Sequence, residues 1–309
     1  MIRTHRLDLL LAAGLFALGL ALRLSAFAGT SFDGLYGQDA YAYLDYAERL
    51  PSALAAGELP SFFWPLGYPA LLMLPAGIFG VGGAQAITFL LGAALAPLAY
   101  TIARQMRVCQ WAALLAGAIP ACGGQAIQSS IALMADMPAL FWATLSAAAL
   151  VVITERRSPH TGWPLLLGAS LALAIVTRWL YLALILPWAA ALLLSRARLR
   201  TFGLALAAAL PILLLQIAHS LSSPYPTLDH PWVTGWSAAH WLQSTFENVD
   251  GRFSYAQINA LYYAQPLYAP IYLSPWLALL IVPGLWRLRT SLHGLALLGG
   301  WLIVPYAFL

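Results

Sequence analysis

The chain has 309 residues, of which 61% are apolar and only 8% charged, whereas soluble domains carry about 25% charged residues. This composition excludes an ordinary soluble protein and indicates a polytopic membrane protein. All fifteen basic residues are arginines. They fall in short clusters between apolar runs, so the net charge of +4 does not indicate nucleic acid binding. The two cysteines form no CxxC metal motif.

The first apolar run, Leu7–Leu24, follows the basic N-terminal residues MIRTHR. It is long enough to be a membrane span, and its basic flank predicts a cytoplasmic N-terminus. The alternative is a secretory signal peptide, because Ala26-Phe27-Ala28 resembles a cleavage site. We favour the span, since many apolar runs follow it. Both interpretations place residue 30 on the extracytoplasmic side.

The next apolar run, Trp64–Phe79, decides the topology. If it crossed the membrane, nine arginines in four clusters would lie outside, against the positive-inside rule. If it lies along the outer surface or dips into it, all four clusters face the cytoplasm. Its three prolines also disfavour an unbroken span. We therefore predict that this run is a juxtamembrane element. The prediction gives nine spans: the first apolar run, Leu7–Leu24, and eight more at about 83–103, 108–127, 137–154, 162–178, 179–195, 201–220, 269–286 and 291–309.

This topology predicts one transmembrane domain over residues 1–309, with outer loops at about 30–82, 128–136 and 221–268. A tight turn at Arg178 lies on the same side. The chain stops within an apolar run, so we expect that a C-terminal part is missing. The loop 221–268 is rich in aromatic residues, which is typical of an interfacial belt. The alternative is that one or two of these rings stack on a sugar.

Acidic residues are concentrated in the first outer loop, where Ser31–Pro69 holds five of the chain's eleven. Asp39 opens a helical stretch in which Tyr43 follows at i+4 on the same face. Asp136 opens a later span at the same membrane face. Helix capping is the ordinary role for either aspartate, but ionisable groups at membrane depth tend to be functional. We predict that both are catalytic and that both would hold a divalent cation such as Mg²⁺ or Mn²⁺ if one binds.

Arg178 is the only charge between two apolar runs in LALAIVTRWLYLALILP. One interpretation is an arginine at a helix end whose charge reaches the interface. The other is a phosphate ligand, because guanidinium groups bind phosphate oxygens well. Arg252 in the long loop is a weaker candidate for that role. The histidines show no HxxxH or HxH spacing, so we expect no histidine-based metal site.

Five segments resemble the GT-C membrane glycosyltransferases, in the branch of bacterial relatives of protein O-mannosyltransferases and of the lipid A aminoarabinose transferase. In chain order they are GQDAYAYLDYA, WPLGYPALL, TFLLGAALAPLAYTIARQM, SSIALMADMPALFWATL and LALAIVTRWLYLALILP. The resemblance covers roughly residues 7–200 and implies an all-α polytopic fold with juxtamembrane helices in the first outer loop. By position, Asp39 matches the acid of the first outer loop and Asp136 that of the second. Protein mannosyltransferases have an Asp-Glu pair where this chain has Asp39 alone.

The resemblance implies inverting transfer of a sugar from a polyprenyl-phosphate donor in the membrane lipid to an acceptor glycan, lipid or protein. The reaction would take place on the outer face of the bacterial inner membrane. The chemistry needs a base for the acceptor hydroxyl, for which we choose Asp39, and charge stabilisation of the departing phosphate, for which we choose Arg178. Tyr43 and Arg252 are further candidates for substrate contact. The absence of a nucleotide-binding motif favours a lipid-linked donor.

The alternative function is a transporter or lipid flippase that performs no chemistry. Such a protein is expected to carry ionisable residues in the middle of its spans and paired broken helices in two repeated halves. In this sequence the charges cluster at the ends of spans, and no repeat is seen. The sequence therefore favours the glycosyltransferase.

Overall fold

The computed structural model describes residues 2–155, 160–194, 198–224, 237–248, 251–265, 279, 281–289, 294, 296 and 299–300. The longer helices are α1 (Ile2–Ala28), α2 (Gly37–Ala55), α3 (Gly67–Gln105), α4 (Gln110–Cys122), α5 (Gly124–Ile131), α6 (Asp136–Glu155), α7 (Gly162–Thr177), α8 (Ile185–Leu194) and α9 (Arg198–Ser222). A 3₁₀-helix, Trp179–Leu184, joins α7 to α8. The predicted spans at 269–286 and 291–309 lie largely outside the described residues.

Within the described residues, four helices are long and apolar enough to cross a membrane: Arg6–Ala28, Gly67–Gln105, Asp136–Glu155 and Leu199–Ser222. Three shorter apolar helices cover Gln110–Cys122, Gly162–Thr177 and Trp179–Leu193. Each of these helices overlaps a predicted span, and Gly67–Gln105 also covers most of the predicted juxtamembrane element Trp64–Phe79. The number of nine spans stays a prediction.

The helix α3 consists of two segments that meet at Gly80. The backbone of Gly80 has φ 58° and ψ −145°, a left-handed conformation that glycine adopts without steric cost. The two segments fold closely on each other, because a Cβ atom at Gly83 would lie 2.1 Å from the carbonyl oxygen of Pro75. The first segment ends where the predicted element Trp64–Phe79 ends. That it lies at the outer membrane surface remains a prediction.

The predicted span at 108–127 is two helices rather than one. Helix α4 ends at Cys122, and Gly123 has an extended backbone (φ −63°, ψ 119°) before α5 begins. Arg23 of α1 is fully buried beside this break and donates hydrogen bonds to Ser130 Oγ at 2.9 Å and to the carbonyl of Pro120 at 3.2 Å. A single arginine thus ties α1 to both helices, and it satisfies backbone groups that a straight span would not expose.

Small residues allow the central helices to approach closely. Ala139, Ala143 and Ala147 of α6 are buried in the largest apolar cluster. On α7, a Cβ atom at Gly168 would lie 1.8 Å from the carbonyl oxygen of Ala205 on α9. Interfaces of this kind are typical of helices packed within membranes, where close backbone approach replaces the hydrophobic driving force.

Ion pairs mark one end of the helical bundle. Asp8, near the start of α1, lies 3.0 Å from Arg104 at the end of α3. Arg107 lies 3.5 Å from Glu155, the last residue of α6. The start of α1 and the ends of α3 and α6 therefore share one end of the bundle. The start of α6 lies at the other end, about 30 Å away for a helix of this length.

Helix α2 and the chain after it form a layer fixed to the bundle. Tyr46 on the buried face of α2 donates a hydrogen bond of 2.7 Å to the carbonyl of Pro60, which also lies 3.0 Å from Nε2 of His219 on α9. Gln216 Oε1 accepts a hydrogen bond of 2.8 Å from the backbone N–H of Leu66. The first outer loop is thus attached to the end of α9.

The long loop contains a small hairpin that the sequence analysis does not predict. Strands β1 (Thr245–Asn248) and β2 (Gly251–Ser254) pair antiparallel. They are flanked by a short 3₁₀-helix, Ala238–Leu242, and by helix α10 (Asn259–Tyr263). A last described helix, α11, covers Ile281–Leu288.

Candidate functional site

The central feature of the site is an ion pair between Arg178 and Asp136. Arg178 Nε lies 3.0 Å from a carboxylate oxygen of Asp136, and the two side chains are 38% and 46% exposed. Asp136 is the first residue of α6. Arg178 follows the last residue of α7 and has an extended backbone (φ −154°, ψ 119°), which ends that helix. Two helix ends therefore bring together charges that are far apart in sequence.

The segment that carries Asp136 is held by the first outer loop and by α3. The backbone N–H of Leu133 donates a 2.9 Å hydrogen bond to the carbonyl of Gly34. Gln85 Nε2 donates one of 3.2 Å to the carbonyl of Ile131. Gly34 has a left-handed backbone (φ 89°), and a Cβ atom there would lie 2.2 Å from Gln85 Nε2. The two loops that hold the predicted acids are thus joined directly.

Tyr43 connects these loops to the ion pair. Its ring, 1% exposed, packs edge-on against Tyr68 with the ring centroids 5.0 Å apart. Burial raises the pKa of the Tyr43 hydroxyl; the positive charge of Arg178 lowers it, while the carboxylates of Asp39 and Asp136 raise it. All three charged side chains therefore lie near this hydroxyl, which stays protonated at neutral pH. The structure thus brings four of the predicted site residues together.

Asp39 does not occupy the N-cap position of α2. Tyr36 is the N-cap, and Asp39 lies half-buried in the first turn. A carboxylate there is favoured by the positive end of the helix dipole, and its i+4 neighbour Tyr43 lies on the buried face. Arg252, by contrast, is on the exposed side of strand β2, opposite Glu247. Among the described residues, no hydrogen bond or ion pair joins Arg252 to this site.

Two further tyrosines lie at the site that the sequence analysis does not single out. The Tyr68 hydroxyl lies 3.2 Å from Thr88 Oγ1 and close enough to Asp136 to interact with its charge. Tyr181 is 6% exposed and interacts electrostatically with both Asp136 and Arg178. Tyr181 lies in the 3₁₀-helix that follows Arg178, and its backbone N–H donates to the Arg178 carbonyl. A prediction of that helix would therefore have indicated that the two residues are close.

An apolar groove of about 310 Å³ lies beside the ion pair, between α3, α6, α7 and α9. Val176, two residues before Arg178, and Trp142 of α6 contribute to its wall. Trp142 lies about 9 Å from Asp136 along the helix axis. The helices whose ends carry Asp136 and Arg178 therefore also line the groove. Gln216 is the polar residue of the lining, and it fixes Leu66 at the same wall.

A metal site would have to be built mainly from the two aspartates. Among the described residues, no group of three or more His, Cys, Asp or Glu side chains is placed to hold an ion. A divalent cation at this site would rest on Asp39 and Asp136, with further oxygen ligands from water or substrate.

Comparison with known proteins finds one matching family model and solved structures of similar fold. Residues 81–204 match the family model of dolichyl-phosphate-mannose-protein mannosyltransferases. The crystal structure of ArnT from Cupriavidus metallidurans bound to undecaprenyl phosphate matches 97% of this chain and 54% of that chain, with a TM-score of 0.55 and 16% identity. The apo structure of the same ArnT matches 96% and 55%, with a TM-score of 0.60 and 16% identity. The fold is that of the GT-C membrane glycosyltransferases.

The GT-C resemblance and the all-α polytopic fold class predicted from the sequence are thereby confirmed. The chain spans about half the length of the ArnT chains that it matches. No curated protein sequence matches it. At this level of identity the likeness establishes the GT-C fold.

Proposed function

We propose that the chain transfers a sugar from a polyprenyl-phosphate-linked donor to an acceptor hydroxyl, with inversion at the anomeric carbon and with Asp39 as the base. The observation that carries this proposal is the Arg178–Asp136 ion pair at the ends of two helices that also line an apolar groove, with Asp39 close by. Such a site offers a cation for a phosphate, an apolar surface for an isoprenoid and a carboxylate for a hydroxyl.

The donor phosphate binds Arg178 in this account. The ion pair with Asp136 uses the Nε edge of the guanidinium. The two Nη amino groups make no hydrogen bond within the described residues, and the Arg178 side chain as a whole is 38% exposed. A guanidinium can serve two anions at once through separate edges. The isoprenoid then extends along the apolar groove. An ArnT of the same fold has been solved bound to undecaprenyl phosphate, which supports a lipid-linked donor.

The transfer needs one base and one stabiliser of negative charge. The acceptor oxygen attacks the anomeric carbon from the side opposite the phosphate, and its proton passes to the Asp39 carboxylate. The bond from the anomeric carbon to the phosphate oxygen breaks, and its electron pair stays on the phosphate. Arg178 stabilises the charge that develops there. Because the attack is opposite the leaving group, the anomeric configuration inverts.

Asp136 orients Arg178 in this proposal. Without a carboxylate at its Nε edge, a long arginine side chain at a half-exposed position would sample several rotamers. A divalent cation held by Asp39 and Asp136 would add further charge neutralisation at the phosphate.

We place the site on the extracytoplasmic side of a bacterial inner membrane, with the N-terminus in the cytoplasm. The arrangement of helix ends supports this: Arg104 and Arg107 lie at the end of the bundle opposite Asp136. Arginine-rich ends face the cytoplasm. The acceptor is a glycan, a lipid or a protein that reaches the outer face.

The experiment is a transfer assay with the full chain in membranes. A labelled polyprenyl-phosphate sugar is supplied as donor, and the anomeric configuration of the product is determined by NMR. We expect label in an acceptor and an inverted anomeric centre, while a nucleotide sugar with the same label gives no product. Transport of the lipid across the membrane without any transfer would favour the flippase instead.

A further inference from the structure

A bound donor adds negative charge to a site that already holds two carboxylates. Asp136 is paired with Arg178, and Asp39 lies near the neighbouring Tyr43. A polyprenyl-phosphate sugar is a phosphodiester with one more negative charge, and the phosphate has two once the sugar has left. Like charges this close repel strongly in a site partly shielded from water. The site therefore needs hydrogen-bond donors that add no negative charge.

Tyr181 is placed to be such a donor. Its ring is buried in the apolar cluster of α6 and α7, and its backbone N–H donates a 3.1 Å hydrogen bond to the carbonyl of Arg178. Both members of the ion pair interact electrostatically with its hydroxyl. Within the described residues, no hydrogen bond uses that hydroxyl. Tyr181 thus offers a fixed, uncharged O–H group next to Arg178.

A second hydroxyl close to Arg178 also lacks a partner. The hydroxyl of Thr177, the residue before Arg178, is buried and has no hydrogen-bond partner in the described part of the chain. Buried hydroxyls are normally paired because an unpaired one is costly. The segment 177–181 therefore holds more hydrogen-bonding capacity than the protein itself uses.

We propose that Tyr181 is a substrate-binding residue whose hydroxyl donates a hydrogen bond to a phosphate oxygen of the lipid-linked donor. This inference rests on the proposed function. Tyr43 of α2 and Tyr181 of the 3₁₀-helix both interact electrostatically with Arg178 and Asp136, so hydroxyls from two different elements lie near the ion pair. As the bond to the anomeric carbon breaks, the phosphate changes from one negative charge to two. The hydrogen bond from Tyr181 strengthens at that moment and supports the leaving group.

The test separates recognition of the phosphate from packing in the groove. Undecaprenyl phosphate and undecaprenol share one isoprenoid chain and differ in the phosphate. Binding of both lipids is measured with the full chain in detergent micelles, for the wild type, Tyr181→Phe and Tyr41→Phe. Tyr41 is 57% exposed on the outer face of α2 and serves as the control.

We expect the wild type to bind the phosphate form more tightly, and we expect Tyr181→Phe to reduce that preference about tenfold or more, as loss of a hydrogen bond to a charged group does. Tyr41→Phe keeps the wild-type preference. If Tyr181→Phe also keeps the wild-type preference, or weakens the binding of both lipids equally, Tyr181 contributes only packing. The inference is then wrong, while the proposed function stands. If the wild type shows no preference for the phosphate, the proposed function itself fails, and the inference with it.

Discussion

Arg178 and Asp136 form an ion pair of 3.0 Å that joins the end of α7 to the start of α6. The last residue of α6, Glu155, pairs with Arg107 at the opposite end of the bundle. One helix therefore carries a charge contact at each end, about 30 Å apart. Only the first of these lies beside an apolar groove and near a second carboxylate, Asp39. This asymmetry supports the proposed placement of the chemistry at one end of the bundle.

The ion pair predicts strong coupling between its members in catalysis. Arg178→Gln is expected to lower kcat/KM by about a hundredfold or more, as removal of one charge-stabilising donor does. Asp136→Asn releases the Arg178 guanidinium from the ion pair and should lower kcat/KM less than Arg178→Gln does. Because each residue acts through the other, the double variant should lose less than the sum of the single losses, with a coupling energy of about 1–3 kcal/mol.

The control for this cycle is the ion pair between Arg49 and Asp45 on the exposed face of α2. It has the same chemistry but lies on the solvent side of the helix that carries Asp39. Arg49→Gln and Asp45→Asn should leave transfer near the wild-type rate, alone or together. Additive losses at Arg178 and Asp136 would mean that the two residues act independently.

The groove predicts a dependence on isoprenoid length. Ala70 lies in its wall, so Ala70→Phe fills part of the space. We expect a higher KM for a long-chain donor and little change for a donor with only two isoprene units, because a short chain does not reach the filled part. Leu10→Phe, on an exposed face of α1, which contributes no residue to the groove wall, should change neither. An equal rise of KM for both donors would show that the chain lies elsewhere.

Substitution of Gly34 by alanine is expected to cause a local defect through its contact with Gln85. Alanine at its left-handed backbone costs about 1–2 kcal/mol, and the added Cβ would lie 2.2 Å from Gln85 Nε2. We expect Gly34→Ala to lower both the thermal midpoint and the transfer rate, since Gly34 also binds Leu133 beside the Asp136 segment.

Gly57 is the matched control for this substitution. It has a similar backbone (φ 78°), but no atom lies within 4 Å of its added Cβ. Gly57→Ala should therefore lower stability only by the backbone cost and leave the transfer rate per folded protein unchanged. In the Gln85→Ala background the close contact with Gln85 is absent, so Gly34→Ala should cost less stability there than in the wild type. A rate defect at Gly57→Ala equal to that at Gly34→Ala would contradict this explanation.

Tyr43 predicts a loss of stability at alkaline pH. Its pKa in the folded chain is raised, chiefly by burial, above the ordinary value of about 10. Below pH 10 the hydroxyl is protonated in both the folded and the unfolded chain, so it contributes no pH dependence. Above that pH it ionises only in the unfolded chain, and folding loses about 1.4 kcal/mol per pH unit from this group. Thermal unfolding of Tyr43→Phe between pH 9 and 11 should show a shallower decline than the wild type, and an unchanged slope would contradict the predicted shift.

Part of the site could be predicted because each loop of a membrane protein must lie on one of the two faces of the bilayer. Once the arginine clusters are assigned to one face, Asp39, Asp136 and Arg178 fall on the other, and helix ends on one face lie near each other. The fold class follows from apolar runs in the same way. Such reasoning needs no knowledge of side-chain contacts.

The remaining features depend on tertiary packing that has no periodic signal. Tyr181 is part of an apolar run, and only the 3₁₀ geometry after Arg178 brings it to the ion pair. The break at Gly123 within a predicted span is stabilised by Arg23, which is more than ninety residues away in the chain. The groove needs residues from four helices. The hairpin at 245–254 lies in a loop whose aromatic content indicated an interfacial belt or sugar stacking, and neither predicts strands.

The most direct measurement is sugar transfer by Asp39→Asn and Asp45→Asn beside the wild type, from a labelled polyprenyl-phosphate donor at saturating concentration. The two aspartates lie on one helix, half-buried near Tyr43 and exposed beside Arg49 respectively. We predict that Asp39→Asn binds the donor but lowers kcat by about a hundredfold or more, as loss of a general base does, whereas Asp45→Asn transfers at the wild-type rate. Transfer by Asp39→Asn at the wild-type rate would remove this carboxylate from the reaction and contradict the account.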